Sequence, residues 1–292
     1  MPRPAEQDAG SGSSLSRGLA LLDLFTSPDQ VLSISEIARR SGVPKSTAHR
    51  LILDLIDWGA LERGTNGVSL GVHLFELGSL VPSSSTLRDL ALPFAHNLNE
   101  VTKLTSNIAI REGNEVLYVE KITTRTLKVP HSRVGGRARM HATALGKAIL
   151  AFSDPEFVDS VLSGPLLKQT EKTVTNPTEL RKELARVRAE RVAYDVEESR
   201  LGLFCVSAPV FNGQGGPVAG AISVTGATEL AIAKRYAPAV LATAMALSTA
   251  IGGAKRPRQR KASRTNAGVM QGRHPHSCER SERSTADPST GT

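Results

Sequence analysis

The sequence predicts an α+β chain of two folded parts: an N-terminal winged helix-turn-helix and a larger C-terminal domain of mixed strands and helices. Three observations carry this reading. Two short helical patterns meet across a Gly-containing turn at Gly42, two short strands then surround an Asn-Gly pair, and from Lys103 the apolar periodicity becomes strand-like. The 292-residue length agrees with two domains, and 40% hydrophobic residues suffice for cores built mostly from Leu, Val, Ile and Ala.

Residues 1–14 are rich in Pro, Gly and Ser and are expected to be disordered. The pattern over 16–25 is helical, with Leu19, Leu22 and Leu24-Phe25 on one side, until Ser27-Pro28-Asp29 breaks it. The next helix starts at a capping box, Ser33 as N-cap with Glu36 three residues on, closed over by Leu32 and Ile37. It ends at Gly42, where a left-handed residue belongs. A third helix opens with Pro44 in its first turn. Ala48, Leu51, Ile52, Leu55 and Ile56 repeat at helical spacing as an inward stripe, which turns Lys45, Ser46, Thr47, His49 and Arg50 outward.

Between Arg39 and Arg50 stand Arg39, Arg40, Lys45, His49 and Arg50 and no acid. A local basic face of this kind is what phosphate contacts need. A helix-turn-helix places the N-terminal end of its second helix in the DNA major groove. Ser46 and Thr47 can approach phosphates or base edges there, and Arg50 can reach a guanine edge or a phosphate. The plain alternatives are a solvated helix face and an ordinary helical hairpin of a bundle. Residues 60–63 and 68–70 flank Gly64-Thr65-Asn66-Gly67 as a wing, with Arg63 its candidate phosphate contact.

Residues 72–80 look helical, 82–85 read as a joint, and 86–101 form a connecting helix that Pro93 kinks or opens. Strands follow at 105–110 and 116–122 around Gly113-Asn114, with a further strand candidate at 127–134. Helices are expected at 142–152 and 178–190, strands at 203–211 and 218–225, and a last Ala-rich helix at 229–251. The domain map is therefore 15–80 for the winged helix, 81–102 for the linker helix, 103–252 for the C-terminal domain and 253–292 for a disordered tail.

The net charge of +8 is uneven: residues 253–292 carry nine Lys/Arg against three Asp/Glu, while residues 1–80 carry seven against nine. DNA binding is thus argued from the local cluster, not from the total. The tail either adds non-specific phosphate attraction or is an inert solubilising extension. No uninterrupted apolar run reaches 18 residues and no apolar segment follows the N-terminus, so neither a membrane span nor a secretory signal is expected, and a cytoplasmic location is. Two cysteines, Cys205 and Cys278, exclude a disulfide scaffold and a cysteine-rich zinc site. No phosphate-cradling Gly loop, HExxH pair, nucleophile elbow or dinucleotide fingerprint is present, and the seven histidines are scattered. No catalytic set, cofactor or metal is expected.

A few polar residues stand in apolar surroundings. Asp195 reads as preceding a strand, beside Glu197 and Glu198, and Cys205 lies in Leu203-Phe204-Cys205-Val206. Ser223 and Thr225 alternate with Ile222 and Val224, share one strand face and can line a small polar pocket. An exposed strand face, or a buried core thiol for Cys205, is the alternative.

One ordered set of segments is more specific than any of these alone: Ser16-Arg17-Gly18-Leu19, Ser41-Gly42-Val43-Pro44-Lys45-Ser46-Thr47-Ala48-His49-Arg50-Leu51, Leu117-Tyr118-Val119, Arg133-Val134-Gly135-Gly136-Arg137, His141-Ala142-Thr143-Ala144-Leu145-Gly146-Lys147-Ala148, Ala208-Pro209-Val210-Phe211 and Ala221-Ile222-Ser223-Val224-Thr225-Gly226. Over roughly residues 16–251 this resembles the IclR family of bacterial transcription regulators. The resemblance implies a winged helix-turn-helix, a linker helix and a GAF-like effector-binding domain. It implies a homodimer or dimer of dimers on double-stranded operator DNA, answering to a small organic acid or aromatic catabolite. It also implies that the effector meets backbone amides near Thr143, Ala144, Leu145 and Gly146, and the side chains of Asp195, Cys205, Ser223 and Thr225. Thr225 stands where the family often has Ser, and Leu145 where it often has a smaller residue, which narrows that side. The Asp195 carboxylate would repel an anion unless it accepts a ligand hydroxyl or is protonated. The alternative from another class is a small-molecule-metabolising enzyme that carries a similar helical hairpin.

Overall fold

The computed structural model describes residues 13–27, 29–123, 132–227 and 230–254. The expected disordered segments, apart from the residues next to the described helices, lie outside these, as does most of the strand expected at 127–134. Helix α1 (Ser14–Leu22) begins two residues before the apolar pattern, because the Ser13 hydroxyl caps it by accepting the Ser16 N–H at 3.1 Å. Helix α2 (Ile34–Ser41) is capped by the Ser33 hydroxyl, which accepts the Glu36 N–H at 3.2 Å. The reciprocal half of the expected box is replaced: the Glu36 carboxylate turns to Arg39 and Arg40. Gly42 closes α2 at φ 69°, a conformation that suits glycine. Helix α3 (Lys45–Asp57) takes Pro44 as its N-cap, one position earlier than expected. Leu21, Phe25, Leu32, Ile37, Leu51, Ile52, Leu61 and Val68 form the common core of this unit.

The wing is strands β1 (Leu61–Gly64) and β2 (Gly67–Leu70). Gly64 pairs with Gly67, so the turn residues are Thr65-Asn66 and not the Asn-Gly pair. Gly67 has another task. Leu32 and Val68 exchange N–H···O bonds of 3.0 and 2.9 Å, and a Cβ on Gly67 would lie 2.3 Å from the Leu32 carbonyl oxygen. Helix α4 (His73–Ser79) and helix α5 (Pro82–Thr102) follow. The residues expected as a joint are the first turn of α5, and Pro93 lies within it.

The C-terminal part is built on strands β3 (Thr105–Glu112), β4 (Glu115–Ile122), β5 (Arg137–Arg139), β6 (Ala193–Val196), β7 (Leu203–Phe211) and β8 (Val218–Ala227). They form one antiparallel sheet in the order β5-β4-β3-β8-β7-β6. Its helices are α6 (Ala144–Leu150), α7 (Pro155–Ser163), α8 (Pro177–Glu190) and α9 (Leu230–Ala254). One face of the sheet packs on α5 and α9 through Ala91, Leu98, Val206, Val224, Val240 and Leu247. The other packs on α6, α7 and α8 through Ala148, Ile149, Val158, Leu180, Leu184 and Val187. Strand β5 and helix α7 had no counterpart in the sequence reading, and Ser132–Val134 is not strand. Asp195 lies within β6 rather than before a strand. Helix α6 starts two residues later than expected because Thr143 caps it, and it ends two residues earlier, at Leu150.

Ala233–Ala254 of α9 is long and apolar enough to cross a membrane by length and composition alone, although Lys234, Arg235, Thr243, Ser248 and Thr249 interrupt its apolar run. In the fold its Ala233, Val240, Ala244, Leu247 and Ile251 are buried in the core shared with α5.

Gly146 packs against the preceding turn so closely that a Cβ would lie 2.2 Å from the Met140 carbonyl oxygen. Gly146→Ala should therefore cost roughly 1–3 kcal/mol by overpacking. A lower urea midpoint at unchanged m-value is the expected result, and an unchanged midpoint contradicts this packing.

Candidate nucleic-acid interface and effector site

The stripe of α3 leaves Lys45, Ser46, His49 and Arg50 exposed and Thr47 half-buried at its N-terminal half. Lys45, His49, Arg50 and Arg63 make no ion pair with any described residue. Arg40 differs: its Nε donates to Glu36 Oε1 at 2.7 Å, and Arg39 reaches the same oxygen at 3.3 Å. The Arg40 guanidinium, with Arg39, holds the Glu36 carboxyl below its ordinary value. Glu36 lies just outside the acid-free window read from the sequence. Arg63 stands exposed on β1, paired in register with Val68.

A cavity of about 160 Å³ opens on the α6 side of the sheet. Thr143, Cys205 and Thr225 line it, and Cys205 Sγ lies 2.9 Å from Thr225 Oγ1. Ser223 points to the same face but sits behind this lining. Asn107 on β3 joins the two hydroxyls, its Nδ2 donating to Thr225 Oγ1 at 3.1 Å and to Ser223 Oγ at 3.5 Å. Ala144, Leu145 and Gly146 are buried within α6, and the Gly146 N–H is taken by the Thr143 hydroxyl at 3.1 Å. Asp195, 1% exposed, is not in the lining. Its carboxylate accepts the N–H groups of Glu198 and Ser199 at 2.8 and 3.2 Å and the Ser199 hydroxyl at 2.5 Å. Burial pushes the Asp195 carboxyl up, against the pull of Ser199 and Lys147.

The remaining lining decides the sign of the site. Arg137 and Arg139 of β5 and Arg200 face Glu115 as the one acid, so the cavity is positive. Arg137 lies 3.6 Å from Glu115 and 3.9 Å from Glu112. Arg200 Nη1 is buried and has no hydrogen-bond partner among the described residues. Burial pushes the Tyr118 phenol and the Cys205 thiol far above their ordinary values, so both are neutral. The sequence reading missed Tyr118, Arg137, Arg139 and Arg200 as site residues. One available signal was the alternation Arg137-Ala138-Arg139, which sets two cations on one side of an extended segment.

Behind the cavity lies a buried ionic cluster. Lys147 is 0% exposed, with Nζ 2.8 Å from Glu183 Oε1 and 2.6 Å from Glu198 Oε1. Desolvation alone would lower its pKa, but the two carboxylates overturn that and hold it above the ordinary value. The Lys147 ammonium and Arg186, 3.5 Å from Glu183, face three carboxylates, those of Glu198, Glu183 and Asp195, which leaves an excess of one acid. Glu198 is pushed up to about 7, by burial first and with Glu183 and Asp195 adding to it, while Lys147 opposes.

A winged helix-turn-helix in one chain with a sheet domain that encloses a basic cavity defines a class, the DNA-binding regulators with a small-molecule site. Residues 14–64 match the model of the IclR helix-turn-helix domain, and residues 80–250 match that of the bacterial transcriptional regulator IclR C-terminal domain. The chain belongs to the IclR family. It is 34% identical to the HTH-type transcriptional regulator BhcR of Paracoccus denitrificans, over 76% of this chain and 80% of that one. It is 32% identical to the transcriptional repressor IclR of Escherichia coli, over 74% and 81%. A crystal structure of an IclR homolog from Microbacterium hydrocarbonoxydans, complexed with 4-hydroxybenzoate, superposes with a TM-score of 0.75 at 29% identity, covering 82% of this chain and all of that one. The Thermotoga maritima IclR structure gives 0.69 at 28%, covering 82% and 98%. Membership makes the chain an IclR-type DNA-binding transcriptional regulator, and the enzyme alternative falls.

The raised Glu198 value has a direct consequence. The folded chain binds this proton more tightly than the unfolded chain, whose carboxyl titrates near 4.5. Its contribution to stability therefore grows as pH falls from above 7 toward 4.5. Urea unfolding between pH 5 and 8 should show that slope in the wild type and a flatter one in Glu198→Gln. Equal slopes would mean that Glu198 does not take up the proton.

Proposed function

We propose that the chain binds operator DNA through α3 and the wing, and that a small organic or aromatic acid in the α6-side cavity modulates that binding. The observation that carries the reading is Arg200 Nη1, a buried cationic donor without a partner among the described residues, in a cavity lined by three arginines and one acid. Such a donor is costly to leave unpaired, and a carboxylate would satisfy it. The relative from Microbacterium hydrocarbonoxydans holds 4-hydroxybenzoate, an acid of this kind. In this reading residues 15–80 are the DNA-binding domain, 81–102 the linker helix and 103–252 the effector domain, and the protein works in the cytoplasm, where operator DNA lies.

The working unit is a homodimer or dimer of dimers. Helices α1 and α4 expose large apolar side chains, Leu15 at 71%, Phe75 at 74% and Leu80, just after α4, at 74%. Apolar surface of this kind suits a second copy of the chain. Two-fold pairing would set two α3 helices about one DNA turn apart on a palindromic site. The acid would favour one arrangement of the effector domain and so shift the population that fits that spacing.

Two substitutions test the two halves separately. Arg50→Ala should weaken binding to the chain's own upstream DNA by about 1–3 kcal/mol if Arg50 reads a guanine edge. Equal losses on unrelated DNA with a reduced salt slope would assign it to a phosphate, and an unchanged affinity would remove α3 from the groove. Thr225→Val with Ser223→Ala should raise the dissociation constant of an acid found in a thermal-shift screen, begun with 4-hydroxybenzoate, by about tenfold. Calorimetry showing wild-type affinity would place the pocket elsewhere.

A further inference from the structure

The segment from Glu197 to Gly202 carries Ser199 and Arg200 to the cavity and is fastened from several sides. Asp195 accepts from the N–H groups of Glu198 and Ser199 and from the Ser199 hydroxyl. The Thr173 hydroxyl donates to the Glu198 carbonyl at 2.7 Å, and the Thr170 hydroxyl to the Glu197 carbonyl at 2.6 Å. Glu197 holds a left-handed φ of 62°, and its carboxylate accepts the Gly202 N–H at 2.7 Å. These ties fix the backbone of the segment. Glu198 reaches from it into the protein interior and meets Lys147 there.

We propose that Lys147 is a positioning residue of effector recognition: by gripping Glu198 from inside α6, it holds the Glu197–Gly202 segment as the cavity wall and presents Arg200 to the ligand. Three features support this. Lys147 is 0% exposed and among the largest fully buried side chains of the described residues, and a lysine is seldom so deep unless paired. Its second partner, Glu183 on α8, also has Arg186 at 3.5 Å, so Glu183 keeps a cation without Lys147 whereas Glu198 has no other ion pair among the described residues. Finally, α6 begins at the cavity-lining Thr143, so the pair joins the two walls of one cavity, the α6 cap and the Arg200 segment. Asp195 and Lys147 thus both hold the same segment. This assigns Asp195 to the support of the wall, and its carboxylate need not meet an anion.

The inference rests on the reading of this cavity as the effector site, so its test begins on acid-free protein. The background is full-length Cys278→Ser, in which cavity-lining Cys205 is the one remaining thiol. In it, Lys147→Met with Glu198→Gln removes the pair without leaving a lone buried charge, and Glu198→Ala cuts the grip while Lys147 keeps Glu183. Both variants should let a thiol reagent modify Cys205 about tenfold faster, with faster amide exchange confined to residues 197–203. Wild-type rates at Cys205 and in that segment, in either folded variant, overturn the proposal. So does exchange that rises equally through β7 and β8, since that is a general loss of packing.

The second arm adds the ligand. An acid from the screen, with 4-hydroxybenzoate tested first, that slows Cys205 modification in the wild type supports the effector-site reading. If none does, that reading fails, while the grip on the wall is still decided by the acid-free rates. With such an acid, the Lys147 pair variant and Arg200→Ala should each raise its dissociation constant, and the combination should be no worse than Arg200→Ala alone, because Lys147 acts through Arg200. Additive losses overturn that route.

Discussion

The pairing of β3 with β8 at the centre of the sheet is the constraint on which both the cavity and its neighbours depend. Thr105 stands opposite Thr225, Asn107 opposite Ser223 and Ala109 opposite Ala221. Because side chains alternate along a strand, the same stretch of β8 sends Ile222 and Val224 into the core under α5 and α9, and Ser223 and Thr225 toward the cavity. A slip of one residue would exchange the two sets, putting hydroxyls into the apolar core and branched aliphatics into the polar site. Asn107 is positioned by the same register, and its amide fixes both hydroxyls at once.

Among the described residues the sheet also lies between the cavity and helix α5. Leu87, Ala91, Ala95 and Leu98 pack on the reverse side of strands whose front lines the site. Arg88 of α5 donates to the buried Glu120 of β4 at 2.8 Å, two residues from cavity-lining Tyr118, where the β3–β4 register shifts. The proposed effector site and α5 thus touch the same strands from their two faces. Packed cores tolerate changes in packing by adopting discrete alternatives rather than by bending continuously.

Much of the fold was legible because local rules and tertiary packing agree. The capping serine at Ser33, the left-handed Gly42, the inward stripe of α3 and the Gly113-Asn114 hairpin all read directly from residue type and spacing. The misreadings share a cause, a local signal overruled by a distant neighbour. Asn66-Gly67 has turn chemistry, yet Gly67 is required by the approach of Leu32. Strand β5 has three residues and two arginines, too short and too polar for a periodicity argument. The cavity was half legible: Cys205, Thr225 and Thr143 come together, whereas Asp195 and Ser223 stand behind them and the arginines come from segments that carry no apolar pattern. Lys147 had a visible signal, a charge inside the apolar run from Ala144 to Leu150, but its partners lie 36 and 51 residues away, and only the fold joins them.

In the proposed function, the basic cavity on one face of the sheet controls the DNA-binding helices through occupancy of Arg200. Fluorescence anisotropy of the chain's labelled upstream DNA, with and without a saturating acid selected by thermal shift, tests it most directly in wild type and Arg200→Ala. The acid should change the wild-type DNA dissociation constant by roughly 5–150-fold, the usual span of coupling free energies. Arg200→Ala should lose this response while binding DNA as the wild type does without acid. A response that persists in Arg200→Ala, or a wild-type DNA affinity indifferent to a bound acid, would contradict the proposed function.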